Sequence, residues 1–463
     1  MDGAGGDIAG EYEACGGRIA DNPGVTNEQA ESAFHARRKV LRTIGMLCFA
    51  AAMLFAFVRG PVRSMAPGGS SDFSLIWLST RAWLVGESPY SVEATDRVWV
   101  KHSGETKPPE NERIAAILVY PPSTFTVLAP WCWMEWHPSK MLWAATGYVL
   151  LVGSVVLLLG LVGLTPGGSA WWFAGAAMLA MFPGHTGISV GQPVALVLFL
   201  IVWAQAMRVL GRWNASGVAL GLASAIKPQI GLLFLAYEVG RGRWRTVIAG
   251  VLTLAGLAAV GVLVLRLYGI DWLPAWRENM RAFVLTDNAD PSLANPLRYH
   301  LVNLQVWLHA FMADVRVVNW MVWGAVGLLC AVFLAFDRFR AESRSEMLSL
   351  SMVACASLML VYHRGYDAVV LLIPAAMFAA KWARGRFGWR DAVAAACLAV
   401  YLAPGATTLV ELAKRGVIPG WVVEGWWWNG LLIPHAAIAV LVLSVLLVFE
   451  RRDEARVGST ARA

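Results

Sequence analysis

Three short stretches carry the residue types able to do chemistry in an otherwise apolar chain. They are "SSDFSLIWLSTRAWL" with Asp72, "SAIKPQIG" with Lys227, and "YHRGYDAVVLLIP" with His363, Arg364 and Asp367. A carboxylate held at the edge of an apolar run loses part of its hydration and becomes a better general base for a hydroxyl. The same acid, opening a mostly apolar run, also fits an N-cap or a dipole-favoured place at a helix start. Lys227 interrupts an apolar segment, where an ionisable group is costly and by default marks a functional site with a partner. A phosphate is the natural partner, and snorkelling of the amine to the interface is the plain alternative. A His, an Arg and an acid within five residues at a helix mouth suit a phosphate or a hydroxyl-bearing ligand, or ordinary capping.

The elements that must position these groups follow from composition. The chain has 463 residues, 57% of them hydrophobic and 15% charged, against about 25% charged in soluble domains. Apolar runs of roughly spanning length, 17–25 residues, recur along it, and no polar insert of domain size separates them. The expected fold is an all-α polytopic transmembrane bundle with short broken helices and two external loops carrying amphipathic helices. A soluble enzyme is excluded. The net charge of +7 reflects Lys and Arg in short clusters between the runs, the positive-inside pattern, and not nucleic-acid binding. Six scattered cysteines without CxxC or Cys/His clustering give no support to disulfides or zinc.

Basic clusters serve as cytoplasmic markers. "HARRKVLR" (35–42) places a flexible tail, residues 1–35, inside, ahead of a single membrane domain over 36–450 and a cytoplasmic tail over 451–463. The expected thread takes 40–58 outward, leaves 59–113 outside, brings 114–133 back to an inner "MEWHPSK" turn, and sends 141–164 out. Residues 214–240, flanked by basic clusters and holding Lys-Pro, read as two short helices that enter and return, as broken helices do where they line a cavity. Residues 269–317 form a second external loop, and the last run, 431–449, returns inside.

On this thread Asp72, Tyr120, Asn303, His363 and Asp367 meet on one external face. The two prolines after Tyr120 in "VYPPST" suit helix initiation, with Tyr120 itself a cavity-wall candidate; Gln192 in "GQP" is another polar interruption. "NPLRYHLVNLQVWLHAF" (295–311) has Leu301, Leu304, Leu308 and Phe311 at helical spacing, as in an amphipathic helix lying on a membrane, with Asn303 and Gln305 free to hold hydroxyls. "DNAD" (287–290) reads as a turn. The Trp-rich segment 421–428 either stacks on sugar faces or anchors at the interface.

The order of motifs, "DFSLIWLSTRAWLVGESPY", "YPPSTFTVLAPW", "GQP", "GVALGLASAIKPQIGLLF" and "YHRGYDAVVLLIP", resembles glycosyltransferase family 87 over roughly residues 40–450. The family comprises C-type membrane enzymes, among them polyprenyl-phosphate-mannose-dependent α-mannosyltransferases. The resemblance implies an extracytoplasmic site in a plasma-membrane protein with both termini cytoplasmic. There a hexose, typically mannose, passes from a polyprenyl phosphate to a lipid or glycan acceptor. It implies Asp72 as the catalytic base, and His363 as the counterpart of the family's external histidine near the later "YD" motif.

A sugar on a lipid phosphate already has a good leaving group, so one general base suffices and direct displacement inverts the anomeric centre. Arg81, Lys227 and Arg364 are the candidates for the donor phosphate, and Tyr120, Gln192, Asn303 and Asp367 for the sugar or acceptor. The first external loop lacks an Asp-x-Asp or Glu-x-Asp pair, so no metal is expected, and no cofactor is implied. The rival readings are a transporter or flippase for lipid-linked sugars, which would fit the broken helices but for the absence of internal repeats, and a catalytically dead scaffold subunit.

Overall fold

The structure, a computed structural model, describes residues 27–104, 118–284, 289–338 and 345–460. Part of the expected "DNAD" turn lies outside the described residues. The chain is an all-α bundle. Five helices are long and apolar enough to cross a membrane, or seven if each of two bent pairs counts as one span, among the described residues.

Helix α1 (Asn27–Phe57) leads through a π-helical turn to α2 (Ser71–Val85) and α3 (Val92–His102). Then come α4 (Pro122–Cys132), α5 (Trp136–Leu161), α6 (Ser169–Ala180) and α7 (Phe182–Val190). Helices α8 (Val194–Val209), α9 (Trp213–Ile226), α10 (Pro228–Gly240) and α11 (Trp244–Leu267) follow, and α12 (Trp272–Val284) lies in the long loop after them. The last part holds α13 (Val315–Arg338), α14 (Glu346–Leu360), a 3-10 turn (Gly365–Leu371) running into α15 (Leu372–Ala383), α16 (Trp389–Ala399), α17 (Gly405–Lys414) and α18 (His435–Thr460).

Proline sets most of the breaks, because it lacks the N–H that continues a helix and clashes with the preceding turn. Pro183 follows the 45° bend between α6 and α7, Pro404 sits in the 56° bend before α17, and Pro228 divides α9 from α10. Residues 214–240 are therefore two short helices forming a hairpin, as expected from the sequence, with Lys227 at its apex. Helix α9 lies close against α11 because Gly217 and Gly221 face it. A β-carbon on Gly217 would come within 2.3 Å of the Thr246 carbonyl oxygen, and one on Gly221 within 2.5 Å of that of Gly250. Small residues four apart allow this approach where apolar burial gives helices little reason to associate.

Two networks of basic side chains and their acids mark one end of the bundle. Arg208 meets Glu238 and Glu346, both at 2.8 Å, and Arg243 meets Glu346 at 2.8 Å. Lys381 meets Glu450 and Asp391, both at 2.8 Å, while Arg384 donates to the Val162 carbonyl at 2.8 Å. Asp72, Gln192, Lys227 and Asp367 gather at the opposite end. Helix α1 near Arg42 and helix α18 near Glu450 lie on the side of these ion pairs, since Arg42 approaches Gly167 and Glu450 pairs with Lys381.

This layout corrects the expected course of residues 114–164. Helix α4 has 11 residues, about 16 Å of helix, against a hydrocarbon core of about 30 Å. Its two ends stay on one side: Tyr90 donates to the Tyr120 carbonyl at 2.8 Å, and Arg81 donates to that of Trp133. The "MEWHPSK" turn accordingly sits at the Asp72 end, where Phe73 stacks on Trp136 and Trp143. Helix α5 then runs toward the ion pairs, opposite to the expected direction. A run containing Pro130 and the tryptophans 131, 133 and 136 matches an interfacial belt as well as a span.

The second loop is corrected too. Residues 295–311 do not form a surface helix; a 3-10 turn (Arg298–His300) and a short helix (Gln305–Leu308) replace it, and Leu301 and Leu304 are buried. Leu301 pairs with Arg364 in an antiparallel bridge, and Val302 N–H donates to the His363 carbonyl at 2.9 Å. The amphipathic helix of that loop is α12, whose Trp276 donates to the Val119 carbonyl at 3.0 Å.

Candidate functional site

Asp72 occupies the first turn of α2, but it does not cap that helix. Ser70 is the residue before the helix, in a left-handed conformation at φ 61°, and no side-chain cap bond forms. The carboxylate instead accepts a hydrogen bond from Gln192 Nε2 at 2.7 Å. Gln192 is held by its backbone, which donates to the Gly187 carbonyl at 2.8 Å, closing the end of α7. Tyr120 approaches the other side of the amide, its hydroxyl 3.5 Å from Gln192 Oε1. Burial first, and then the negative charge of Asp72, hold the Tyr120 phenol above its ordinary range, so it stays a hydrogen-bond donor.

Gly191 makes this contact possible. Its φ of +80° is left-handed, and an added β-carbon would sit 2.3 Å from that of Phe73, the neighbour of Asp72. Its carbonyl accepts from Trp143 Nε1 at 2.8 Å. Gly191→Ala should therefore cost about 1–2 kcal/mol for the backbone alone, plus the displacement of Phe73. Thermal unfolding in detergent checks this; an unchanged midpoint would contradict the packing.

The second half of the site is built around Asp367. Lys227 Nζ lies 2.5 Å from Asp367 Oδ1, both side chains almost fully buried. His363 Nδ1 is 3.1 Å from Asp367 Oδ2, which also accepts the Arg364 backbone N–H at 3.2 Å. An ionised carboxylate only accepts, so His363 donates from Nδ1. Its Nε2 is buried without a hydrogen-bond partner among the described residues. The capping and ligand readings of "YHRGYD" thus share one residue: a single oxygen of Asp367 caps the 3-10 turn and also orients the imidazole.

Lys227 is placed by the break it stands in. Pro228 cannot donate a backbone hydrogen bond, and the helix ends with its last carbonyls unserved. The hydroxyls of Ser123 and Thr124, both from "YPPST", donate to the Ala225 carbonyl at 3.1 and 2.8 Å. The prolines start α4 as expected, with Pro122 at its first position, and that helix start fixes the hairpin apex.

The two halves face one another electrostatically. Asp72 acts on Tyr120, Tyr362, Tyr366 and Arg364, and Asp367 acts on the same four. Lys227 Nζ stands 5.1 Å from the centre of the Tyr366 ring. Asn303, buried beside the His363 strand contact, donates to Gln305 Oε1 at 2.7 Å and leaves its own Oδ1 without a partner among the described residues. Arg81 does not join this group. It bonds the Trp133 carbonyl and lies 3.2 Å from His102 Nδ1 and 3.7 Å from Glu135. Tyr362 belongs to the site and is not singled out by the sequence; its place directly before His363 was the available signal.

The arrangement offers one carboxylate fixed by an amide, a neutralised Lys–Asp pair, and an oriented imidazole with one nitrogen unused. Over 140 residues the chain is 28% identical to an alpha-(1->3)-arabinofuranosyltransferase of Mycobacterium tuberculosis, in strains CDC 1551 / Oshkosh and ATCC 25618 / H37Rv. That stretch is 29% of this chain and only 31% of each relative's length. The profile of glycosyltransferase family 87 matches residues 118–362, taking in Tyr120, Gln192, Lys227 and Asn303 and ending one residue before His363. With more than half of its length matched, this membrane-embedded chain belongs to glycosyltransferase family 87.

Proposed function

We propose that the protein transfers a glycosyl residue from a polyprenyl-phosphate donor to a lipid or glycan acceptor on the extracytoplasmic face, by an inverting displacement with Asp72 as the general base. The observation that supports this most is the holding of Asp72: it is fixed by Gln192 at 2.7 Å and makes no ion pair within 4 Å among the described residues. Its other oxygen, without a hydrogen bond among the described residues, would receive the substrate hydroxyl. The acceptor oxygen attacks the anomeric carbon while its proton passes to Asp72. The bond from that carbon to the phosphate oxygen breaks, and polyprenyl phosphate leaves with the electron pair. A phosphate leaving group needs little protonation, so a second acid is not required.

His363 and Arg364 would stand on the phosphate side. Protonated, His363 would donate from Nε2 to the departing phosphate while Asp367 keeps Nδ1 engaged, the division of labour by which a carboxylate sets an imidazole's tautomer. Lys227, already paired with Asp367, would position that imidazole rather than meet the phosphate directly. Arg81, bound to Trp133, His102 and Glu135, has no part in this scheme. Membership of a glycosyltransferase family weighs against the transporter reading.

For the sugar we favour mannose, on the resemblance to polyprenyl-phosphate-mannose-dependent enzymes. The arabinofuranosyltransferase relatives favour a second reading, a pentofuranosyl donor. Purified protein offered both polyprenyl-phosphate donors in parallel separates the two by which one is consumed.

Sidedness rests on charge. Arg42, Arg208, Arg243, Lys381 and Arg384 mark the ion-paired end, which the positive-inside rule assigns to the cytoplasm, leaving Asp72 outside. A cysteine placed at exposed Lys101, on α3, in a cysteine-free background should react with a membrane-impermeant thiol reagent in intact cells. Reaction only after lysis would put Asp72 on the cytoplasmic side and remove the donor model.

A further inference from the structure

Arg298 is a buried cation that no acid among the described residues neutralises. Its side chain belongs to a residue only 5% exposed, and it makes no salt bridge among the described residues. Its Nη2 reaches the Asn429 carbonyl at 3.3 Å and Asn429 Oδ1 at 3.4 Å, both long contacts, and its Nη1 is buried without a partner among the described residues. A buried charge is ordinarily paired, and one left alone is expensive. Burial alone lowers the Arg298 guanidinium to about 10.

The surroundings are short of negative charge. His309, within electrostatic reach of Arg298, donates from Nδ1 to the Met312 carbonyl at 3.1 Å, and its buried Nε2 has no partner among the described residues. His300, two residues after Arg298, is pushed down to about 4 by burial and by the charges of Arg364 and Lys414. Asp290, the acid that reaches His309, is already engaged by the N–H and hydroxyl of Ser292 at 2.8 and 2.7 Å.

The roof of this place is greasy. Trp307 Nε1 donates to the Gly430 carbonyl at 3.0 Å, and a β-carbon on Gly430 would meet Phe311 and Trp426 at 3.2 and 3.3 Å. Phe311, Trp421 and Trp426 are exposed. Exposed aromatic rings beside a buried arginine are the furniture of the membrane–water interface, where lipid phosphates lie.

We propose that Arg298, with Asn429 under the Trp-rich segment, is a binding site for the phosphate of a membrane lipid. It shares none of its hydrogen-bond partners with Asp72 or Asp367, and it stands whether or not the transfer reaction is as proposed. Arginine's planar fork suits two phosphate oxygens at once, with Nη1 supplying the donor that the protein leaves unused.

The test is binding to the full-length protein in a phosphate-free neutral detergent, read by thermal shift and tryptophan fluorescence. The probes are dioctanoyl phosphatidylglycerol, dioctanoylglycerol and inorganic phosphate. The phospholipid should bind and raise the unfolding temperature, and the phosphate-free diacylglycerol should do neither. Inorganic phosphate should bind at least tenfold more weakly than the phospholipid and be displaced by it. Arg298→Gln should weaken phospholipid binding about tenfold or more, the scale of a lost charged hydrogen bond. Arg298→Met, which fills the space without a charge, should unfold at or above the wild-type temperature in the absence of lipid, yet lose the lipid-induced rise. Equal lipid-induced shifts in wild type and Arg298→Met would overturn the site. Inorganic phosphate binding as tightly as the phospholipid would overturn its assignment to a lipid.

Discussion

Asp72→Asn should insert in the membrane, unfold at nearly the wild-type temperature and bind donor lipid, yet transfer sugar about 10²–10⁴-fold more slowly, the range for loss of a general base. Asparagine is isosteric, and its carbonyl oxygen can still accept from Gln192 Nε2, the contact that holds Asp72 at 2.7 Å. What it cannot do is take a proton. The capping alternative makes the opposite forecast, because Asn caps a helix about as well as Asp. It predicts near-normal turnover for Asn and instability for Ala. The observed geometry already favours the first, since no side-chain cap bond forms at the start of α2. Turnover of Asp72→Asn within a few-fold of wild type would send the search for a base to Asp367 or His363.

The second large effect concerns Lys227 and Asp367. Removing either partner leaves a buried, uncompensated charge, which typically costs about 3–5 kcal/mol. Lys227→Met and Asp367→Asn should each lower the thermal midpoint markedly. The double variant should recover most of the loss, because a neutral Asn can still accept from the Arg364 N–H and the His363 Nδ1–H that Asp367 now serves. The coupling from the four-membered cycle should exceed about 1 kcal/mol, as expected for residues in direct contact. Additive losses would mean that the two charges do not depend on each other. The cycle also separates two roles for the lysine: a residue that only neutralises Asp367 regains donor binding in the double variant, whereas one that grips the phosphate does not.

The polar groups of the site were readable in the sequence because they are anomalies. Asp72, Lys227 and the "YHRGYD" cluster stand out against apolar neighbours, and a charge in such a place must be matched. That Lys227 and Asp367 match each other, 140 residues apart, is a tertiary fact that no local pattern carries. The hairpin of α9 and α10 was legible from Pro228 between two basic flanks. The course of α4 was not, because hydropathy measures apolarity and cannot tell a span from a short helix lying among interfacial tryptophans. The same ambiguity misled the reading of Leu301, Leu304 and Leu308. Helical spacing of apolar residues is shared by a helix on a membrane and by a turn-rich segment packed into a bundle, and here Leu301 and Leu304 are buried beside the strand-like contact with Arg364. Arg298 gave no sign at all, since a lone arginine in a loop looks solvated until the fold closes over it.

The central claim is a single-displacement transfer from a lipid phosphate, and the configuration of the product tests it most directly. Purified protein would be incubated with a β-linked polyprenyl-phosphate mannose and a lipid acceptor, and the new linkage read by the anomeric proton–carbon coupling in NMR. The predicted result is an α-linked product with one polyprenyl phosphate released per sugar transferred, lost in Asp72→Asn. A β-linked product, requiring two displacements and a covalent intermediate, would contradict the single-base account.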